Sequence, residues 1–168
     1  MQLNIGRAIA AIAVSMLATN ALADDRGLYL GLGATRIEAD DSVLSDSDNT
    51  YKAYLGYRPG GMFAFEGAVV DFGELRDDGH KLDGRSLQGA VHAGFPIGQR
   101  LRAYGSLGGH MWDADGDAAG SDNGVGLTYG GGVEFDLLGN LGVRAEYEIL
   151  KLEDVDLQQS TLSAFLLF

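Results

Sequence analysis

From residue 27 onward, apolar side chains recur at every second position in eight successive segments, and helical spacing is hard to find. Period two marks strands that bury one face and wet the other. The alternation predicts strands over residues 27–36, 51–58, 62–72, 86–95, 101–112, 126–135, 141–150 and 158–168. Their connections alternate in length. Pro59-Gly60-Gly61, Pro96-Ile97-Gly98-Gln99-Arg100 and Asp136-Leu137-Leu138-Gly139-Asn140 have hairpin-turn compositions. Residues 37–50, 73–85, 113–125 and 151–157 form longer, mostly acidic and polar connections. Short and long connections in strict alternation predict an all-β, eight-stranded antiparallel up-and-down barrel whose two ends meet different surroundings.

The first 23 residues stand apart from this pattern. MQLNIGRAIAAIAVSMLATNALA carries one basic residue, Arg7, a mostly apolar run from Ala8 to Ala18, and Ala21-Leu22-Ala23 before two aspartates. This predicts a cleaved secretory signal peptide over 1–23 and a barrel domain over 24–168. The run is short for a spanning helix of about 20 residues. The net charge of -12 becomes one unit more negative when Arg7 is removed. An acidic chain with no basic stripe argues against nucleic acid as a partner. Cysteine is absent, which excludes a disulfide framework and thiolate metal sites. Gly reaches 26 residues against 2 Pro, which suits strands approached closely by large neighbours.

The faces of the strands differ in kind. In the second strand Tyr51, Ala53, Leu55 and Tyr57 oppose Lys52, Tyr54, Gly56 and Arg58. In the fifth, Leu101, Ala103, Leu107 and Met111 oppose Arg102, Tyr104, Ser106 and His110. In the seventh, Leu141, Val143, Ala145, Tyr147 and Ile149 oppose Gly142, Arg144, Glu146 and Glu148. An eight-stranded barrel is just wide enough inside for side chains to fill it. The polar face carries many glycines, so it fits inside, and the apolar face then turns outward, as in a transmembrane barrel. Strands running alternately up and down bring Tyr57, Phe63, Phe95, Phe135 and Phe168 to one height beside the short turns, with Phe65 just above. Tyr51, Tyr129 and Tyr147 form a sparser set toward the long connections. Aromatic girdles at both interfaces are expected of such barrels. The final strand then closes the sheet against the first and leaves no unpaired edge in hydrocarbon.

The inward charges are Lys52, Arg58, Arg102 and Arg144 against Glu66, Glu134, Glu146 and Glu148. Single buried charges are costly, so these are expected to pair as a plug without a continuous water pore. Arg102, Glu66, Glu134 and Arg144 fall in the lower half, Glu146 and Glu148 higher, and Lys52 near the top. A gate or narrow ion path through the same network is the alternative.

Three short motifs carry weaker chemistry. Ser106 and His110 share one face, but i and i+4 on a strand lie about 13 Å apart, too far for a nucleophile and its base. His92 and His110 are expected to be lumen hydrogen-bonders. DADGDAAGSDNG, from Asp113 to Gly124, opens like a calcium loop but has Ala118 where Gly is required and Gly124 where the bidentate Glu belongs. GLGATR, from Gly31 to Arg36, lacks the third glycine and following helix of a dinucleotide site. No catalytic, metal or cofactor site is expected.

The hairpin GYRPGGMFAFEGAVVDFGEL and the segment GGVEFDLLGNLGVRAEYEIL resemble the small eight-stranded outer-membrane barrels, the OmpA transmembrane domain and related porin-like surface proteins. The resemblance spans nearly all of residues 24–168. It implies residence in the outer membrane, contact with its lipid and lipopolysaccharide, and recognition of the closing strand with Phe168 by the barrel-assembly machinery. No peptidoglycan-binding sequence follows Phe168, so a wall-tethering role is not expected. The expected function is that of a monomeric, non-enzymatic barrel supporting membrane integrity or surface contacts through acidic loops. The alternatives are a narrow channel and a lipid-A-modifying enzyme.

Overall fold

A computed structural model describes residues 27–39, 49–77, 80–116, 122–151 and 156–168. Eight strands run in chain order: β1 (Gly27–Ala39), β2 (Asn49–Arg58), β3 (Phe63–Asp77), β4 (His80–Ile97), β5 (Leu101–Gly116), β6 (Asp122–Leu138), β7 (Leu141–Lys151) and β8 (Asp156–Leu167). Each pairs antiparallel with its sequence neighbours, and β8 returns to β1, so the sheet is a closed barrel. The seam runs from Tyr29 opposite Leu167 to Ala39 opposite Leu157. At its lower end the Phe168 amide donates to the Leu28 carbonyl at 2.7 Å. Closure satisfies the backbone groups of both terminal strands, which is what lets a sheet cross hydrocarbon. The expected signal peptide, residues 1–23, lies outside the described residues.

The lower turns are as tight as the sequence demands. Gly98 and Gly139 take φ of 72° and 54°, a left-handed conformation that side chains beyond glycine rarely adopt. The upper connections differ from the expectation of loops over 37–50, 73–85, 113–125 and 151–157. Pairing continues through Arg76 opposite Lys81 and Asp77 opposite His80, with an irregularity between Asp71 and Glu74. It likewise continues through Asp83 opposite Asp115 and Ala114 opposite Asp122. At this upper end, residues 40–48, 78–79, 117–121 and 152–155 fall between the assigned strands. The physical reason is that a backbone ladder needs no apolar alternation once both strand faces are wet. Alternation therefore marked the membrane-facing part of each strand and missed its continuation.

Side-chain parity is uniform. Leu55, Phe65, Val91, Leu107, Val133 and Leu162 are exposed on the outer face. Lys52, Glu66, His92, Arg102, Glu134 and Arg144 are buried within. Tyr57, Phe63, Phe65, Phe95 and Phe135 all face outward, and Phe168 is half-buried. Tyr57 sits opposite Phe65 across β2 and β3, and Phe135 opposite Leu101 across β6 and β5. Tyr51 and Tyr147 are exposed toward the other end, and Tyr129 is half-buried.

Inward rings and inward glycines are matched across adjacent strands. Tyr29 is paired with Gly56, and Tyr54 with Gly31. Tyr104 is paired with both Gly94 and Gly132, and Phe165 with both Gly31 and Gly142. Each ring lies over a neighbour that lacks a side chain: a Cβ on Gly56 would come within 2.1 Å of the Tyr29 ring. Gly67, on the outer face, has only a carbonyl oxygen at 4.0 Å in that direction. Gly56→Ala is therefore expected to destabilise the barrel by about 1–3 kcal/mol through overpacking. Gly67→Ala should stay within about 0.5 kcal/mol. Urea midpoints of the two variants in one detergent check the contrast, and equal midpoints would contradict the assigned faces.

Candidate functional site in the barrel lumen

The lumen is organised around Arg144 on β7, which is 1% exposed. Its Nη1 donates to Glu66 Oε2 on β3 at 2.6 Å. Its Nη2 and Nε donate to Glu134 Oε1 on β6 at 2.8 and 3.1 Å. The guanidinium is also ringed by aromatics, with centroids of Tyr54 at 4.3 Å, Tyr29 at 5.3 Å, Tyr104 at 5.4 Å and Phe165 at 5.7 Å. Ring faces attract a cation most when water is excluded. The planar fork of arginine spans two carboxylates that one ammonium could not bridge in the same geometry.

Below Arg144, the second oxygen of Glu134 accepts from Arg58 Nη2 at 2.6 Å and from Arg102 Nη1 at 3.3 Å. Arg102 also donates to the carbonyls of Gly61 and Met62, tying the lumen to the first lower turn. Above Arg144, Lys52 Nζ donates to Glu146 Oε1 and to Glu148 Oε2, the latter at 2.7 Å. The Tyr104 hydroxyl donates to Glu146, and the Tyr29 hydroxyl to Glu66 at 2.9 Å. Gln159 Nε2 donates to Glu148, and Gln88 Nε2 donates to Gln159, both at 3.2 Å. The sequence-derived set of Lys52, Arg58, Glu66, Arg102, Glu134, Arg144, Glu146 and Glu148 thus forms one contiguous network of ion pairs and shared contacts. Among the described residues, a small cavity beside it, lined by Lys52, Glu66, Gln88, Thr128 and Glu148, measures about 10 Å³, roughly one water molecule.

The sequence missed the aromatic half of this site. Tyr29, Tyr54, Tyr104 and Phe165 are as buried as the charges they surround. The signal was present as Tyr and Gly at paired inward positions, but it becomes readable only once the strand register is known. The two histidines also part company. His110 Nδ1 shares a hydrogen bond with Thr128 Oγ1 at 2.9 Å. His92 is instead stacked on Tyr104, with centroids 4.6 Å apart and rings 15° from parallel, and neither ring nitrogen has a hydrogen-bond partner. This departs from the expectation of two lumen hydrogen-bonders. The ring stack fixes His92 in a plane where no polar atom of the described residues comes within reach.

Ser106 and His110 are not brought together. The Ser106 hydroxyl lies 3.5 Å from Glu148 Oε1, while His110 turns to Thr128. GLGATR lies within β1, where Gly31 and Gly33 face inward as strand glycines. The side chains of residues 113–123, which include the calcium-loop-like aspartates, lie outside the described residues.

An apolar exterior with rings near its ends, around a core of mutually neutralised charges, defines a transmembrane β-barrel of the outer-membrane kind. The chain belongs to the outer membrane protein beta-barrel domain family, whose sequence model matches residues 9–168. It resides in the outer membrane. It is 27% identical over 167 residues to outer membrane protein A of Yersinia pseudotuberculosis serotype I (strain IP32953), covering 86% of this chain and 46% of that protein. It is 32% identical over 122 residues to outer membrane protein A of Klebsiella aerogenes, covering 64% of this chain and 35% of that one. The chain thus spans less than half the length of these relatives. Among solved structures, Neisserial surface protein A superposes with a TM-score of 0.71 at 18% identity, covering 84% of this chain and 97% of that one. Ail of Yersinia pestis, in complex with the heparin analogue sucrose octasulfate, superposes with a TM-score of 0.63 at 21% identity, covering 85% and 97%. These likenesses show the fold.

Proposed function

We propose that this protein is a monomeric, non-enzymatic outer-membrane barrel that supports membrane integrity and makes surface contacts through its acidic outer segments. The reading rests on the lumen: Arg144, held by Glu66 and Glu134 and enclosed by four rings, fills the cross-section where a solute would pass. A filled barrel acts through its ends and its outer wall. Its outer wall contacts membrane lipid, and its closing strand with Phe168 is the segment offered to the assembly machinery.

The outer segments favour cationic partners. Residues 40–48 contain four aspartates and no basic residue, and residues 113–123 contain the same. Such a rim repels polyanions like the heparin analogue seen with Ail. It attracts basic proteins, or divalent cations that bridge to lipopolysaccharide phosphates. Purified barrels in planar bilayers are expected to show no steady ion conductance, whereas steady unitary currents would establish the narrow-channel alternative. Pull-down on intact cells, with and without deletion of residues 40–48 and 117–121, tests the rim. Capture should be lost on deletion and weakened by raised salt. Unchanged lipid-A mass spectra in a deletion strain are expected on the non-enzymatic reading.

A further inference from the structure

We propose that the outer wall carries a seat for one fatty acyl chain of a phospholipid in the periplasmic leaflet, in the hollow over Gly67 on β3 and Gly89 on β4. The seat rests on the reading that this wall meets membrane lipid, and it names where a chain is held. Gly67 and Gly89 are paired across the two strands, and both are exposed on the outer face. Leu55 stands beside Gly67 on β2. Phe65 and Val91 form the next outward pair below, with Leu107 beside Val91 on β5. These side chains wall an open hollow of about 490 Å³ whose floor is bare backbone. Ligand clefts commonly measure about 300–1,000 Å³.

Nothing within the barrel accounts for these two glycines. Inward glycines make room for a ring or a backbone, as Gly56 does for Tyr29 and Gly130 for the Tyr147 carbonyl. A Cβ on Gly89 would meet nothing within 4 Å, and one on Gly67 only a carbonyl oxygen at 4.0 Å. The pairing of β3 with β4 runs without a break from Phe63 to Asp71, so neither glycine serves a bulge. Glycine inside a regular strand otherwise marks the close approach of a ligand or another backbone.

The hollow selects an occupant without polar groups. Its walls are Leu, Phe and Val, and Glu66 behind the floor turns its carboxylate into the lumen, toward Arg144 and Tyr29. It is continuous with the lipid-facing wall. Tyr57 and Phe65 at its lower edge are paired with each other and belong to the rings beside the short turns, so the hollow opens near headgroup level. Gly67 lies four residues along β3 from Phe63. That is about 13 Å of strand, or about 10 Å of height at a tilt of about 40°, below the middle of an apolar band about 25 Å tall. A lipid on the periplasmic side therefore reaches it with one chain. A second barrel fits less well, because two convex walls touch along a line and span a recess, whereas a flexible chain follows its floor.

The test uses the full barrel in phosphatidylcholine vesicles at high lipid excess, with a minor fraction of phosphatidylcholine carrying a diazirine at mid-chain. Photocrosslinked peptides are mapped by mass spectrometry. Crosslinks are expected to concentrate at Leu55, Phe65, Val91 and Leu107, in several-fold excess over Leu32 and Leu162, equally outward positions at the β1–β8 seam. In Gly67→Leu/Gly89→Leu, whose new side chains fill the hollow, the excess should vanish. Equal labelling of the two patches in the parent barrel would overturn the proposal, as would an excess that survives in the double variant. Barrel-to-barrel crosslinks from this face would also overturn it, by making a second copy the occupant. If the double variant does not fold, the two patches of the parent decide by themselves. Steady conductance would strike the filled-barrel reading and leave the seat in place, whereas even labelling would strike the seat and leave that reading in place.

Discussion

Replacing Arg144 with methionine is expected to lower the unfolding free energy by about 3–5 kcal/mol, the usual cost of removing one partner from a buried ion pair. The loss comes from what remains. Glu66 keeps only the Tyr29 hydroxyl at 2.9 Å and a histidine nitrogen at 4.0 Å. Glu134 keeps Arg58 and Arg102, but only on its Oε2 side. The four rings lose the cation they enclose. Arg144→Lys should lose less, because one ammonium keeps the charge but not the fork that reaches two carboxylates. Arg144→Met/Glu66→Gln should recover part of the loss, since neutralising Glu66 removes the stranded charge. Urea unfolding in detergent, followed through the single tryptophan, Trp112, measures all three. A midpoint for Arg144→Met equal to the parent would mean that the guanidinium does not hold the lumen together.

Leu55→Arg is expected to destabilise the barrel by about 2–4 kcal/mol in a bilayer. Leu55 lies between the ring-bearing positions Tyr51 and Tyr57 on the outer face of β2 and is 45% exposed. That puts it deep in the hydrocarbon, where a guanidinium has no counter-charge to meet. The same substitution at Met62, exposed beside the first lower turn, should cost only about 0–1 kcal/mol, because near the interface the charge reaches water. Unfolding in lipid vesicles rather than detergent reads the difference, since a micelle deforms around the charge. Equal costs at the two sites would contradict the placement of the apolar band.

The candidate site was half legible in the sequence. Alternation put Lys52, Arg58, Arg102 and Arg144 on the same side of the wall as Glu66, Glu134, Glu146 and Glu148. Which charge meets which was not legible. Lys52 reaches Glu146 from β2 to β7, and Arg144 reaches Glu66 from β7 to β3, pairs 94 and 78 residues apart on strands that are not neighbours. Contacts across the lumen depend on the stagger of every intervening strand pair, which no local pattern records. The rings of Tyr29, Tyr54, Tyr104 and Phe165 were obscured for a related reason. An aromatic residue on an inward face is unremarkable until the glycine beside it on the next strand is known.

The sequence alone determined the number of strands, their direction, the lower turns and the side each residue takes. Those follow from a period of two and from glycine and proline at chain reversals, all properties of a few adjacent residues. Only the tertiary structure decided how far the strands rise beyond the apolar band, that Arg144 is the hub of the plug, and that His92 is left facing two carboxylates without a hydrogen bond. Those outcomes depend on closing the sheet, because closure fixes the register around the whole ring and so sets which side chains share the few ångströms at its centre.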